Sequence, residues 1–555
     1  MSYYDDASLV VIPSGYKTSK VYAEKPTDGS GDLAFTRTGD TATRVNSAGL
    51  IEKVRTNLIL QSNTFSTTWI NADSNETSGQ AGYDGTNNAW RLTTTLSGGY
   101  IYQSVAINGL TTFSIYAKAG TQNGIILYSA HVAQGINFNL STGVVGAAFV
   151  AAPSGSRIQS IGNGWYRCSI TVSSSSTNVF RIYVSDGSNP SLGNVLIQNS
   201  QVEAGDVATA YIPTTTAAVS VGPVANVPRL DYLGSSCPRL LLEPQRTNLA
   251  IFSEQFDNSN WTKTNTTVTA NTTVSPDGYT NADTIAFTAT AGAVCQRPVG
   301  GTYESQTHTV SVYARVASGT ATFRLKCTHG GVLDYISSDF TATTTWQRFT
   351  FSATFGATIG TSLVYGVQNG SNGTAKSVIF YGFQLEANAS YATSYIPTLA
   401  ASATRGGEFA SSPLNTTSAN WTLFVDTDFV PYQEILNLYF GTSTGRFVSF
   451  YQSFNYFRIV VSAGAGVVAG RVMSDTAGRK KVVLQNDGTD CIVFVNGVKL
   501  GAINTSGASP LTGTGAASFT FYGGGGTVAS IGKVRQFLQF HSKLTDAQCI
   551  ELTTL

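Results

Sequence analysis

RTNLILQSNTFSTTW at Arg55–Trp69 returns as RTNLAIFSEQFDNSNW at Arg246–Trp261. Three more blocks repeat in the same order. FSIYAKAG (Phe113–Gly120) matches VSVYARVASG (Val310–Gly319), and GWYRCSITVS (Gly164–Ser173) matches TWQRFTFSAT (Thr345–Thr354). QVEAGDVATAYIPT (Gln201–Thr214) matches QLEANASYATSYIPT (Gln384–Thr398). The offset between copies drifts from about 181 to about 197 positions, as insertions in loops between fixed elements produce. The chain therefore carries one duplicated module of roughly 150–160 residues, an ordinary domain size.

Inside each copy the apolar period is two. Phe113, Ile115 and Ala117 alternate with Ser114 and Tyr116, and Val310, Val312 and Ala314 alternate with Ser311 and Tyr313. Such alternation, bounded by Gly, Asn and Ser clusters, predicts half-buried antiparallel strands. Many short strands with turn signals between them predict a two-sheet sandwich. Cys168 stands where the second copy has Phe349, an inward position.

The tail beyond about residue 418 is a third β unit. WTLFVDTDFV, RFVSFYQ, YFRIVVSA and SFTFYG read as strands, and Asn496-Gly497 predicts a two-residue hairpin turn with positive φ at both positions. Thr545 and Gln548 form a capping box that opens a short closing helix. The expected fold is all-β: three tandem β-sandwich (jelly-roll) modules with a small N-terminal segment. The expected boundaries are 1–54 (completed by 224–245), 55–223, 246–410 and 418–555.

Composition narrows the function. Charged residues are 12% of 555, and 33 basic against 32 acidic side chains leave a net charge of +1. No basic stripe exists to neutralise a phosphate backbone, so nucleic acid is not an expected partner. No apolar run approaches a membrane span. MSYYDDASLVV lacks the basic and apolar regions of a secretory signal. The six cysteines, at 168, 237, 295, 327, 491 and 549, form no CxxC pair. They read as free thiols packed as small hydrophobes, with Cys295 and Cys327 the one pair worth checking.

FTRTGDTATRVNSAGLIEKV (Phe35–Val54) and ANVPRLDYLGSSCPRLLLEPQRTNLAIFSEQFDNSNWTK (Ala225–Lys263) resemble signatures of bacteriophage head-spike and tail-fibre proteins. That resemblance spans roughly residues 1–410 and implies carbohydrate-binding-module-like β-sandwiches. The tail resembles a laminin-G or concanavalin-like jelly roll. In the phage family the two signatures adjoin, whereas Val54 and Ala225 here lie 171 positions apart. Module Arg55–Val224 thus reads as an insertion into a virion-anchoring base. The resemblance implies a virion structural protein assembled in the host cytoplasm and released by lysis, self-associating as a homotrimer, bound to capsid or tail proteins and touching host glycans. The alternatives are a polysaccharide depolymerase and a non-viral lectin-like adhesin.

Chemistry is scarce. His131, His308, His329 and His541 form no metal-binding spacing and read as surface or satisfied strand residues. Gly441–Gly445 matches G-x-S-x-G around Ser443, but a strand pattern follows where a nucleophile elbow needs a helix. Gly523–Gly526 with Gly532-Lys533 mimics a P-loop, yet the spacing is too long and Val534 replaces the magnesium-binding hydroxyl. Asp426 and Asp428 could be a glycosidase pair but read as a solvated strand face. No catalytic residue or cofactor is expected, and weak Ca²⁺ binding at Asp/Asn loops stays open. The candidate glycan-contacting aromatics are Tyr432, Tyr451, Tyr456 and Phe457 in the tail, with core packing as the competing reading. Trp69, Trp165, Trp261 and Trp346 are assigned to structure.

Overall fold

The computed structural model describes residues 3–301, 303, 305–329, 335–357, 362–414, 420–429, 433–439, 446–452, 457–463, 467–473, 478–504, 517–522 and 532–554. Its elements are almost all antiparallel strands, paired into sandwiches.

The first repeat folds as two six-stranded sheets. One orders Gly155–Gly162, Trp165–Ser174, Gly109–Ala119, Gly193–Ala204, Ala89–Thr94 and Ser74–Gln80. The other orders Val144–Ala148, Gln134–Asn139, Gly124–Ser129, Thr177–Ser185, Tyr100–Ala106 and Ile70–Ala72. Between them pack Phe113, Ile115, Ala117, Cys168, Ile170, Phe180 and Ile182, the predicted inward set included. The second repeat pairs a seven-stranded with a five-stranded sheet, with Val310, Val312 and Ala314 in its core. Cys168 faces Ile115 as Phe349 faces Val312 across the strand pair, so the two positions are equivalent.

The alternation differs from expectation on one face. Ser114 and Tyr116 are also buried. Their strand is central in its sheet, and Tyr83 stacks on Tyr116 (4.3 Å) while Trp165 and Tyr211 join the same patch. Sheet centrality and a folded-over loop, neither visible in a local pattern, bury both faces.

The repeated signature residues close each module. The Asn57 amide donates to the carbonyls of Ser200 and Ile212 and accepts from Ile59 N and Val202 N. Asn248 does the same with Phe383, Ile396, Ala250 and Leu385. Glu203 and Glu386 each accept the backbone and hydroxyl protons of a threonine, Thr209 and Thr393. Trp69 and Trp261 donate their indole N–H to the carbonyls of Gln61 and Phe252. RTNL and QVEA…YIPT are therefore the buried polar clasp that joins a module's first and last strands. A buried polar group without its partner costs about 1–3 kcal/mol, so the clasp tolerates few residue types.

The C-terminal sandwich is not confined to residues 418–555. Its eight-stranded sheet orders Arg229–Asp231, Arg239–Leu242, Gly532–Phe540, Asn420–Phe429, Gly478–Asp487, Asp490–Val495 and Val498–Asn504, with Leu9–Val11 also paired to Gly532–Phe540. The facing nine-stranded sheet places Tyr16–Lys17, Lys20–Val21, Leu33–Thr36 and Phe409–Leu414 beside Ala517–Tyr522 and four further strands. Leu9, Val11, Val21, Leu33 and Phe35 share one core with Leu240, Leu242, Trp421, Val425 and Phe537. Each such side chain contributes about 1.5–3 kcal/mol on leaving water, a gain that the short N-terminal segment cannot find alone. The N-terminal piece and the 225–245 piece do lie together: Arg37 donates to the carbonyls of Val227, Pro223 and Val224. Leu9–Val11, Leu33–Thr36, Arg229–Asp231 and Arg239–Leu242 are strands of the C-terminal sandwich, whereas Thr43–Val45 pairs with Ile51–Lys53 and Ile51 packs against the second repeat. The first module leaves this body and returns to it at one point, because Arg55 pairs with Val221.

Charges are buried where these pieces meet. Glu408 accepts from Arg37 Nη1 at 2.9 Å and from Arg229 Nε at 2.7 Å. Glu243 pairs with Arg229 at 2.8 Å and with Arg405 at 3.0 Å. Arg405 and Arg229 hold the Glu243 carboxyl well below the usual carboxylate range, against the opposing effect of burial. Elsewhere the local expectations hold. Asn496 and Gly497 have φ of 47° and 81°, and the capping box of Thr545 and Gln548 opens the helix Asp546–Thr553.

Candidate functional site: a tyrosine face on the first module

On the strands Tyr100–Ala106, Thr177–Ser185 and Gly124–Ser129, Ile101, Phe180, Ile182, Val184, Ile125 and Leu127 point into the core. The period of two then sends Tyr100, Tyr102, Arg181, Tyr183 and Tyr128 to the opposite face. The register brings them together: Tyr100 faces Tyr183, while Tyr102 and Tyr128 face Arg181 from its two sides. Ring centroids lie 4.7 Å apart for Tyr100 and Tyr183 and 5.8 Å for Tyr100 and Tyr102. Phe149 leans on Tyr128 at 5.3 Å and on Tyr183 at 5.4 Å, walling one side. Tyr183 is buried, which raises its pKa, whereas Tyr100, Tyr102 and Tyr128 are half-exposed. The Arg181 guanidinium sits 4.6 Å from the Tyr100 ring centre and 5.7 Å from that of Tyr128, and its Nη1 donates to the Tyr183 hydroxyl at 3.1 Å.

Aromatic faces beside a few fixed polar groups suit the apolar faces and hydroxyls of sugar rings. The second module keeps the scaffold and lacks the platform. Counting from Trp69 and Trp261, after which Ile70 pairs with Tyr102 as Thr262 pairs with Gln296, the row Tyr102–Arg181–Tyr128 corresponds to Gln296–Gly366–Lys326. The row through Tyr100 and Tyr183 corresponds to Val294–Gln368–Arg324. These tyrosines escaped the sequence reading. YIYQSV, with aromatics at i and i+2 around a core residue, and RIYV, with Arg181 and Tyr183 around another, carried the signal, and the other copy repeats neither.

Of the aromatics singled out from the sequence, Tyr432 and Tyr456 lie outside the described residues, as do the side chains of Tyr451 and Phe457. Ser443 and Gly523–Gly526 lie outside them too. Gly532 and Lys533 belong to a strand, and Lys533 pairs with Asp231 at 3.0 Å. Asp426 and Asp428 do not form a solvated face. Asp426 is 3% exposed and takes two hydrogen bonds from Arg479, at 2.9 and 2.5 Å. Asp428 pairs with Arg239 and with Arg535 at 3.1 Å. Of the histidines, His131 meets the Ser176 hydroxyl at 2.7 Å, and His308 and His329 are buried against Phe355. All five thiols other than Cys237 are buried, and Cys295 and Cys327 are both free.

A polar cleft of about 280 Å³ separates the two repeats, lined by Ser169, Thr171, Asp206, Gln255, Asp257 and Asn271 among others. Burial pushes Asp206 up to about 6. Burial pushes the neighbouring Asp283 up to about 8, although its oxygens accept from Phe256 N and Asn271 N. Among the described residues no group of three or more His, Cys, Asp or Glu side chains is placed to hold a metal ion, so the Ca²⁺ expectation gains no ligand set there. No described helix is long and apolar enough to cross a membrane.

No protein-family model matches the chain, and no curated protein matches it in sequence. Among solved structures it is similar to the CBM22-1 xylan-binding domain of Xyn10C from Paenibacillus barcinonensis, at 14% identity and a TM-score of 0.20, over 26% of this chain and 94% of that one. The tandem CBM22-1-CBM22-2 domain of the same protein aligns at 12% identity and a TM-score of 0.20, over 60% and 97%. The LG1-3 region of the laminin alpha2 chain aligns at 9% identity and a TM-score of 0.17, over 80% and 96%. At such identities and scores the likenesses carry no ligand or activity across.

Proposed function

We propose that this chain is a non-enzymatic glycan-attachment protein. The observation that carries the reading is the tyrosine face of Tyr100, Tyr102, Tyr128 and Tyr183, present on one copy of a duplicated scaffold and absent from the other. A single shallow aromatic site buries few ligand atoms, so affinity near millimolar is expected, about −4 kcal/mol. Titration calorimetry of the intact chain against host-surface glycans tests it. Tyr102→Ala and Tyr128→Ala should each weaken binding about tenfold or more with the melting profile unchanged. Binding that persists in the double variant overturns the assignment.

The setting proposed is a bacteriophage spike or fibre on head or tail, supported by the resemblance of Phe35–Val54 and Ala225–Lys263 to that family. Self-association, as a trimer, would multiply weak sites into useful avidity. Light scattering that finds only a 58.5 kDa species at micromolar concentration counts against the trimer. Immunolabelling of virions tests the location. A depolymerase remains the competing class, and its carboxylates would be Asp206 and Asp257 in the inter-module cleft rather than the ion-paired Asp426 and Asp428. Release of reducing ends from host polysaccharide that Asp206→Asn abolishes would favour it.

A further inference from the structure

Arg181 sets the chemical class of the ligand. Resting on the reading of the tyrosine face as a glycan site, we infer that the sugar met there is carboxylated, a hexuronate or a sialic-type acid, and that Arg181 receives its carboxylate.

The guanidinium stands at the middle of the platform, between Tyr102 and Tyr128 in the register. No carboxylate among the described residues pairs with it. This contrasts with Arg37, Arg44, Arg229, Arg239 and Arg479, each of which has an acidic partner. Its Nη1 donates to the Tyr183 hydroxyl, and its Nε is buried with no acceptor among the described residues. The rings of Tyr100 and Tyr128 hold the planar fork in place, so an incoming anion meets donors whose orientation is already set. A guanidinium fork matches a carboxylate through two parallel hydrogen bonds, which a neutral hydroxyl cannot do.

The arginine is not required by the scaffold. The corresponding position of the second module is Gly366, flanked by Gln296 and Lys326. By contrast Arg167, which donates to Ser114 in the first module, recurs as Arg348 donating to Ser311, and both serve the clasp side of the sandwich. An arginine that appears with the aromatic platform and disappears with it belongs to the ligand and not to the fold.

The test uses the intact chain and four probes: hexagalacturonate, sialyllactose, and their neutral counterparts galactohexaose and lactose. Binding is followed by titration calorimetry at low and at physiological salt. One acidic probe should bind at least tenfold more tightly than its neutral counterpart, and which one binds identifies the acid. Added salt should erode that preference. Arg181→Gln should remove the preference, and Arg181→Lys should restore only part of it, with ring contacts and melting unchanged. Equal binding of acidic and neutral probes, lost in Tyr102→Ala but unaltered in Arg181→Gln, overturns the inference and leaves the glycan site standing. Tight binding of an acidic probe that survives Tyr102→Ala and Tyr128→Ala but not Arg181→Gln retains the charge contact and overturns the stacking site. Loss of neither in any variant overturns both.

Discussion

Glu408→Ala is the sharpest probe of how the chain is held together. The carboxylate accepts from Arg37 Nη1 (2.9 Å), Arg229 Nε (2.7 Å), Arg229 Nη2 and Glu243 N (2.9 Å). Arg37, Arg229 and Glu408 are all fully buried. Removing one partner from a buried pair typically costs about 3–5 kcal/mol, because the remaining charge loses its compensation without regaining water. Glu408→Ala strands two guanidinium groups, although Arg229 keeps Glu243, so the expected loss is about 3–5 kcal/mol. The loss should be local. Arg37 and Arg229 tie residues 37 and 229 to the stretch that leads into the C-terminal sandwich. Trp421 fluorescence in a urea titration and hydrogen exchange of Leu9–Val11 and Leu33–Thr36 should both report it. Exchange in Gly109–Ala119 of the first module should not change. Glu408→Gln keeps the shape and one acceptor and should fall between the variant and the parent. A shift of the Trp421 transition below about 1 kcal/mol, the scale of an exposed pair, would refute the joint as described.

Four further outcomes follow from the geometry. Asn57→Ala and Asn248→Ala should each destabilise by about 3 kcal/mol, from stranded groups at roughly 1–3 kcal/mol apiece, with Asn57→Ala confined to the first module and Asn248→Ala to the second by hydrogen exchange. Native alkylation near pH 8, read by mass spectrometry, should modify Cys237 alone, since the other thiols are buried and burial pushes those of Cys295, Cys327, Cys491 and Cys549 up to about 12. Burial lowers the His308 pKa from 6.5 to about 4, so the unfolded chain takes up the proton first as pH falls; stability present above about 6.5 should drop by about 3 kcal/mol by pH 4, a slope that His308→Phe should flatten. A variant lacking residues 55–221, with Val54 joined to Gly222, should retain the second module and the C-terminal sandwich, because Arg55 and Val221 are paired neighbours; aggregation with loss of the Trp421 transition would count against that organisation.

The fold class and the duplication were legible in the chain, because both are written in local periods and in blocks that recur. Alternation at Phe113–Ala117, positive φ at Asn496-Gly497 and the capping box at Thr545 depend on residues close in sequence. The signature residues were visible as a repeat, but their role as a clasp needed Asn57 brought against Ser200 and Ile212. What only tertiary structure decided was which strands share a sheet. Leu9–Val11 pairs with Gly532–Phe540 across more than five hundred positions, a choice settled by competition among many similar apolar strands for one core. The same holds for the tyrosine face. Tyr102, Tyr128 and Arg181 are ordinary residues of three separate strands, and they become a site because a sheet register sets them side by side.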